Sequence, residues 1–221
     1  MPNPRPTIEL TVTATRQLAP GTFEIRFRRL PGFTFLPGQR IRILHRSLCR
    51  DYSLICGAEA SELAICVRRI PDGQLTPKLV ATAAGDRWSI NGPLGYFTFQ
   101  PSPRPALLVA TGTGIAPFVA YANSGLRGFV CLHGVRSPDQ LYYRETLLGA
   151  AQRYVPCLSR PTTDPVVRPA HVGRVTDLLR AWPAEPEIDF YLSGNGAMVH
   201  DALAIIDERF PGSRVYTEPY F

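Results

Sequence analysis

Hydrophobic and polar positions change rhythm near the middle of this 221-residue chain. Up to about Gln100 the apolar residues fall in short runs bounded by turn residues, at 8–13, 22–27, 41–44 and 63–67. Runs of this length and spacing predict strands of an antiparallel barrel or sandwich. One helix, from about residue 75 to 83, interrupts them. Pro101-Ser102-Pro103-Arg104-Pro105 cannot continue a sheet ladder and reads as a linker. Beyond it, apolar strands at 106–111, 128–135, 153–158 and 187–192 alternate with amphipathic helices near 117–123, 138–148, 175–181 and 198–209. Regular β–α alternation implies right-handed crossovers and a parallel sheet that binds ligands at the carboxyl ends of its strands. The expected organisation is a β domain over residues 1–100, a linker over 101–105 and an α/β domain over 106–221.

Composition narrows the class of protein. With 45% hydrophobic and 19% charged residues the chain can build a substantial core. Met1-Pro2-Asn3-Pro4-Arg5-Pro6 lacks the apolar stretch of a signal peptide, and Leu107-Leu108-Val109-Ala110 is too short to span a bilayer. The expectation is a soluble cytoplasmic protein with no membrane insertion. The net charge of +6 comes almost entirely from arginines dispersed along the chain, with no nucleic-acid-binding signature, so nucleic acid is a poor first partner. A basic surface suits anions such as cofactor phosphates or an acidic electron carrier. Cys49, Cys56, Cys66, Cys131 and Cys157 are odd in number and irregularly spaced, which argues against disulfides and iron-sulfur ligation; Cys66 and Cys131 read as core residues. His45, His133, His171 and His200 form no metal spacing and read as incidental, so no metal site is expected.

Four motifs follow in order. Arg50-Asp51-Tyr52-Ser53 sets a cation and an aromatic ring on one side of a short strand, with a hydroxyl beside them. Asp72-Gly73-Gln74-Leu75-Thr76 combines a tight turn with the free amides of a helix start, which favour an anion. Thr111-Gly112-Thr113-Gly114-Ile115-Ala116-Pro117 ends an apolar strand and opens a helix; its glycines admit a pyrophosphate close to the backbone, and Pro117 suits a first helical turn. Ser193-Gly194-Asn195-Gly196 repeats that geometry at a later strand end.

In this order and spacing the motifs resemble the ferredoxin-NADP⁺ reductase family of flavoenzymes, with the likeness covering essentially the whole chain. The resemblance implies an antiparallel β-barrel flavin domain followed by a Rossmann-like nicotinamide domain. It assigns Tyr52 to stacking on the flavin, Arg50 to its phosphate, Ser53 to flavin N5, and Gly73, Gln74, Leu75 and Thr76 to the pyrophosphate, which favours FAD over FMN. A terminal aromatic, either Tyr220 or Phe221, stacks on the flavin or lies near it. Glu218 is either a carboxylate that relays protons or orients nicotinamide, or an exposed tail residue. Thr111, Gly112, Thr113, Gly114, Pro117, Gly194 and Asn195 line the nicotinamide nucleotide site. Many relatives carry cysteine where Ser193 stands beside the nicotinamide, and this departure puts the efficiency of hydride transfer in question, though not the reaction.

For the NADP 2′-phosphate, relatives use Ser-Arg followed by Gly-Arg. Ser159-Arg160 and Gly173-Arg174 match, although the intervening loop departs in length and composition, so Arg168 rivals Arg174. No acidic residue suited to the NAD ribose stands at that strand end. The resemblance therefore implies an enzyme that moves hydride from NADPH to FAD and single electrons to an acidic ferredoxin or flavodoxin, and a monomer is expected. The alternatives are a reductase of free flavin, quinone or ferric chelates, the reductase component of an oxygenase, or a non-enzymatic nucleotide-binding docking subunit.

Overall fold

A computed structural model describes residues 6–160, 170–184 and 187–220. In the first half, β1 (Ile8–Ala19), β2 (Thr22–Arg28), β3 (Arg40–His45), β4 (Leu48–Ser53), β5 (Glu62–Arg68) and β6 (Arg87–Leu94) form one antiparallel sheet in the order β4-β3-β6-β1-β2-β5. A bridge between Leu54 and Ile65, with the Ile55 N–H donating to the Ala64 carbonyl at 3.0 Å, ties the two edges together as a barrel. Closure removes the exposed edges that an open sheet would present. Period-two patterning fills the interior: Leu10, Val12, Ile25, Phe27, Ile41, Ile43 and Ile90 are buried.

In the second half, β7 (Ala106–Thr111), β8 (Val130–Val135), β9 (Arg153–Leu158), β10 (His171–Val172), β11 (Asp189–Asn195) and β12 (Arg214–Tyr220) form a parallel sheet ordered β10-β9-β8-β7-β11-β12. Strand order reverses between β7 and β11, and the carboxyl ends of these two strands carry the glycine-rich segments. Such a switch point is where open α/β sheets bind ligands. One face of the sheet, including Val109, Leu132, Phe190 and Leu192, packs with residues of α4 (Val175–Ala181) and α5 (Gly196–Arg209). The other, including Leu108, Ala110, Cys131 and Tyr191, shares one core with α2 (Ala116–Asn123), α3 (Arg144–Ala150) and the barrel. The Tyr121 hydroxyl donates to the Phe97 carbonyl at 2.6 Å and the Asn123 amide to the Ile55 carbonyl at 2.7 Å, so α2 is bonded directly to the barrel.

Three strands were not anticipated. β6 contains Gly92-Pro93, which reads locally as a turn; β10 has only two residues; β12 contains Pro219, which an edge strand tolerates because an N–H there is not required by a second neighbour. The helix expected over 75–83 is the five-residue α1 (Thr76–Val80). The one expected over 138–148 divides into a 3₁₀ turn, Pro138–Gln140, and α3. Tyr143 lies between them at φ 62°, a left-handed conformation that interrupts helix propagation.

Candidate functional site

The carboxyl end of β12 meets β4 in a buried polar knot. Strand alternation turns Tyr216, Glu218 and Tyr220 to one side, and pairing with β11 sets Ser193 opposite Glu218 and Asn195 opposite Tyr220. Tyr216 stacks on Tyr191 with ring centroids 4.7 Å apart, holding the strand against the sheet's barrel-facing side. Glu218 is only 4% exposed. Its Oε2 accepts from Ser53 Oγ at 2.9 Å and its Oε1 from Arg40 Nη1 at 2.9 Å. Ser53 Oγ has a single proton, so with Glu218 ionised the Tyr220 hydroxyl, 2.8 Å away, is the donor to Ser53.

Charge runs outward from this knot. Arg40 Nε pairs with Asp51 at 3.0 Å, and Asp51 accepts two further bonds from Arg42 at 2.6 and 3.0 Å. Burial pushes the Glu218 carboxyl above its ordinary value; the bonds from Ser53 and Arg40 pull the other way. Burial also raises the Tyr220 phenol, helped by the Glu218 charge and opposed by Ser53 and Ser193. Ser193 is fully buried, with its side chain against the Tyr220 phenol. Arg40, Phe97, Tyr216, Glu218 and Pro219 help line a cleft of about 470 Å³, whose wall includes Tyr96, 94% exposed.

On β4, Arg50 is exposed, and its guanidinium donates to the neighbouring Cys49 carbonyl at 2.7 Å. Tyr52 packs partly into the core; burial pushes its phenol up to about 12 while the Arg50 charge opposes the shift. At the second motif, a Cβ on Gly73 would lie 3.1 Å from both the Ile70 carbonyl and Thr76 Oγ1, so the turn is sized for glycine. Thr76 Oγ1 accepts from the Ile70 N–H at 2.9 Å, and buried Leu75 anchors the segment while Gln74 is exposed. With α1 this short and Pro77 in its first turn, donors for an anion come from the loop amides more than from a helix terminus.

The crevice at the switch point is built from two strand ends packed on each other. A side chain at Gly114 would collide with the Ser193 carbonyl and the Gly194 backbone; one at Gly194, whose φ is +123°, would meet Thr111 Oγ1 at 2.5 Å. Thr111 Oγ1 accepts from the Asn195 N–H at 3.0 Å, and Asn195 Oδ1 caps α5 by accepting from Ala197 and Met198. Gly112 and Thr113 lie in the 3₁₀ turn Gly112–Ile115, which runs into α2 with Pro117 in its first turn.

Farther along the strand ends, Ser159 and Arg160 are exposed after β9. The Arg160 N–H donates to the Arg136 carbonyl at 3.0 Å, so Arg136 stands beside it at the end of β8. Arg174 is exposed at the start of α4, where its N–H donates to Asp177 Oδ2 at 2.8 Å. None of these three guanidinium groups has a carboxylate partner among the described residues. Arg168 and Phe221 lie outside the described residues. Sequence reasoning missed Arg40 and Arg136. The first pairs with a residue 178 positions away; the second carried a readable signal, an arginine at a predicted strand end.

Known proteins share this arrangement. Residues 10–99 match the oxidoreductase FAD-binding domain and residues 108–203 the oxidoreductase NAD-binding domain. Ferredoxin–NADP reductase B of Sorangium cellulosum is 31% identical over 170 residues, covering 69% of this chain and 70% of that protein. The toluate 1,2-dioxygenase electron transfer component of Pseudomonas putida is 29% identical over 207 residues, covering 86% of this chain; the chain spans 60% of that relative's length. Among solved structures, a ferredoxin NADP⁺ reductase from Neisseria gonorrhoeae with bound FAD and NADP superposes with a TM-score of 0.85 over 97% of this chain and 99% of that one. At 20% identity this shows the shared fold.

Proposed function

The chain belongs to the ferredoxin-NADP⁺ reductase family, and from that premise we propose that it is an FAD-dependent NADPH oxidoreductase delivering single electrons to an acidic ferredoxin or flavodoxin. The observation that carries the reading is the Ser53–Glu218–Tyr220 knot, in which the last strand of the α/β half is bonded to the barrel beside the switch-point crevice. The residues present fit the flavin nucleotide: Arg50 is exposed and has no carboxylate partner among the described residues, and Gly73 sits in a turn where a Cβ would press on the Ile70 carbonyl and Thr76 Oγ1 at 3.1 Å.

In this reading Arg50 and the Gly73–Thr76 loop bind phosphates, and Tyr52 and Tyr220 cover the ring system. The bound flavin would supply the redox chemistry, taking hydride from nicotinamide and releasing electrons singly. Ser53 Oγ holds a polar contact at the ring edge, and Glu218 behind it accepts or returns a proton at that oxygen. Gly112–Gly114 and Ser193–Asn195 bind the nicotinamide nucleotide, with Arg160, Arg174 and Arg136 on the 2′-phosphate. We place the reaction in the cytoplasm, in keeping with five unpaired thiols.

Stopped-flow reduction tests the assignment. NADPH should bleach the flavin faster than NADH, and Arg160→Ala or Arg174→Ala should cost NADPH alone roughly 1.5–3 kcal/mol in kcat/KM, the worth of a charge-assisted contact. Equal rates with both nucleotides would overturn NADPH preference. Ferredoxin or flavodoxin should then accelerate cytochrome c reduction, less so as salt screens the attraction. The likeness to the toluate dioxygenase component favours a second reading, electron delivery to an oxygenase. Indifference to both carriers, with fast transfer to an oxygenase component, would select it.

A further inference from the structure

His133 is fully buried in β8, between Ala110 of β7 and Pro156 of β9. Its Nε2 lies 3.2 Å from the Gly112 carbonyl oxygen and its Nδ1 2.9 Å from the Tyr154 hydroxyl. A carbonyl can only accept, so Nε2 carries the proton; Nδ1 is then the acceptor and Tyr154 the donor. Tyr142 meets the ring edge-on at 6.0 Å between centroids, leaving the imidazole walled by tyrosines. Burial holds its basicity down, to a pKa of about 4, so the ring stays neutral at physiological pH.

Gly112 opens the glycine turn that follows β7, at φ +54°, a conformation few other residues would hold. The Gly112–Thr113 peptide is planar, with its carbonyl and N–H on opposite sides. Drawing the carbonyl inward onto His133 therefore turns the Thr113 N–H the opposite way, and Thr113 is itself partly exposed.

We propose that His133, as its Nε2–H tautomer, is a positioning residue for the nicotinamide nucleotide, fixing the Gly112–Thr113 peptide so that the glycine turn presents its amides to the pyrophosphate. The inference rests on the proposed function and adds a residue that touches neither nucleotide nor flavin. Glutamine can place a donor where Nε2 stands, whereas asparagine reaches only the Nδ1 position. Tyr154→Phe removes the outer hydroxyl and leaves the bond to Gly112.

The test uses the flavin-loaded full chain. Calorimetric titration with NADP⁺ should give a Kd about tenfold weaker for His133→Asn and within about threefold of the parent for His133→Gln, as expected for one hydrogen bond lost or kept. Tyr154→Phe should lower Tm without moving Kd. In ¹⁵N NMR of the parent, the His133 ring should show a protonated Nε2 that persists from pH 8 down to pH 6. An Nδ1–H tautomer, or unchanged NADP⁺ affinity in His133→Asn, would overturn the inference alone. A parent that binds no NADP⁺ would overturn the proposed function together with it.

Discussion

Arg40 sits between two carboxylates, Asp51 at 3.0 Å and Glu218 at 2.9 Å, and this sets the electrostatics of the buried knot. Taking a carboxylate out of water favours its neutral form; a guanidinium in contact favours the ionised one. For Glu218 burial wins and the carboxyl is raised, with Arg40 and Ser53 limiting the rise. Removing the guanidinium should therefore raise it further. Arg40→Gln is expected to move the limb of the pH–kcat profile that reports Glu218 to higher pH, and Glu218→Gln to abolish that limb and lower kcat by on the order of 10². Should Arg40→Gln move the limb to lower pH, the ordering of these effects is wrong. Nothing near Arg40 in the sequence announces this role, because both partners arrive only through β3–β4 pairing and the docking of β12.

At the scale of elements, β7, β11 and their glycine ends act as one unit. Gly114→Ala should push against the Ser193 and Gly194 backbone, opening the crevice. The expected outcome is a flavin-loaded protein that has lost most NADP⁺ binding by calorimetry, with the barrel's flavin spectrum unchanged. Wild-type NADP⁺ affinity would mean that the two turns need not touch to bind nucleotide. Asn195→Ala should cost about 1 kcal/mol through loss of the α5 cap, read as a lower Tm. This unit was legible in the sequence because its signals are local: an apolar run, glycines, then a proline at the first helical turn. β12 was not, since Glu218 and Pro219 resemble an exposed tail until pairing with β11 buries the carboxylate. His133 looked incidental for the same reason, as Gly112 and Tyr154 each lie 21 residues away. The barrel strands were readable from runs of residues, while their neighbours in the sheet, decided by non-local pairing, were not.

Across the whole molecule the barrel and the α/β half are joined by a further polar contact, one that shifts its carboxylate in the opposite direction to the Glu218 knot. Tyr143 donates to Glu24 of β2 at 3.0 Å, and Arg16 and Arg26 complete the cage around that carboxylate, at 3.1 and 2.8 Å. Glu24 is 2% exposed. Burial opposes its ionisation, but the bonds from Arg26 and Tyr143 and the charges of Arg16 and Arg26 together hold the carboxyl below its ordinary value of 4.5. A depressed folded-state value stabilises the fold above the unfolded-state pKa, and that stability is lost as pH falls through the folded value. The ion-paired form of the contact between the halves is thus in force at neutral pH and fails in acid. Tyr143→Phe removes one bond to a charged acceptor and should lower stability by roughly 1.5–3 kcal/mol at pH 7. The deficit should shrink in acid, as the parent's own Glu24 becomes protonated. A double-mutant cycle with Glu24→Gln, followed by thermal unfolding at pH 7 and in acid, isolates the coupling. A Tyr143→Phe deficit independent of pH would show that the ring's packing, and not its bond to Glu24, joins the two halves.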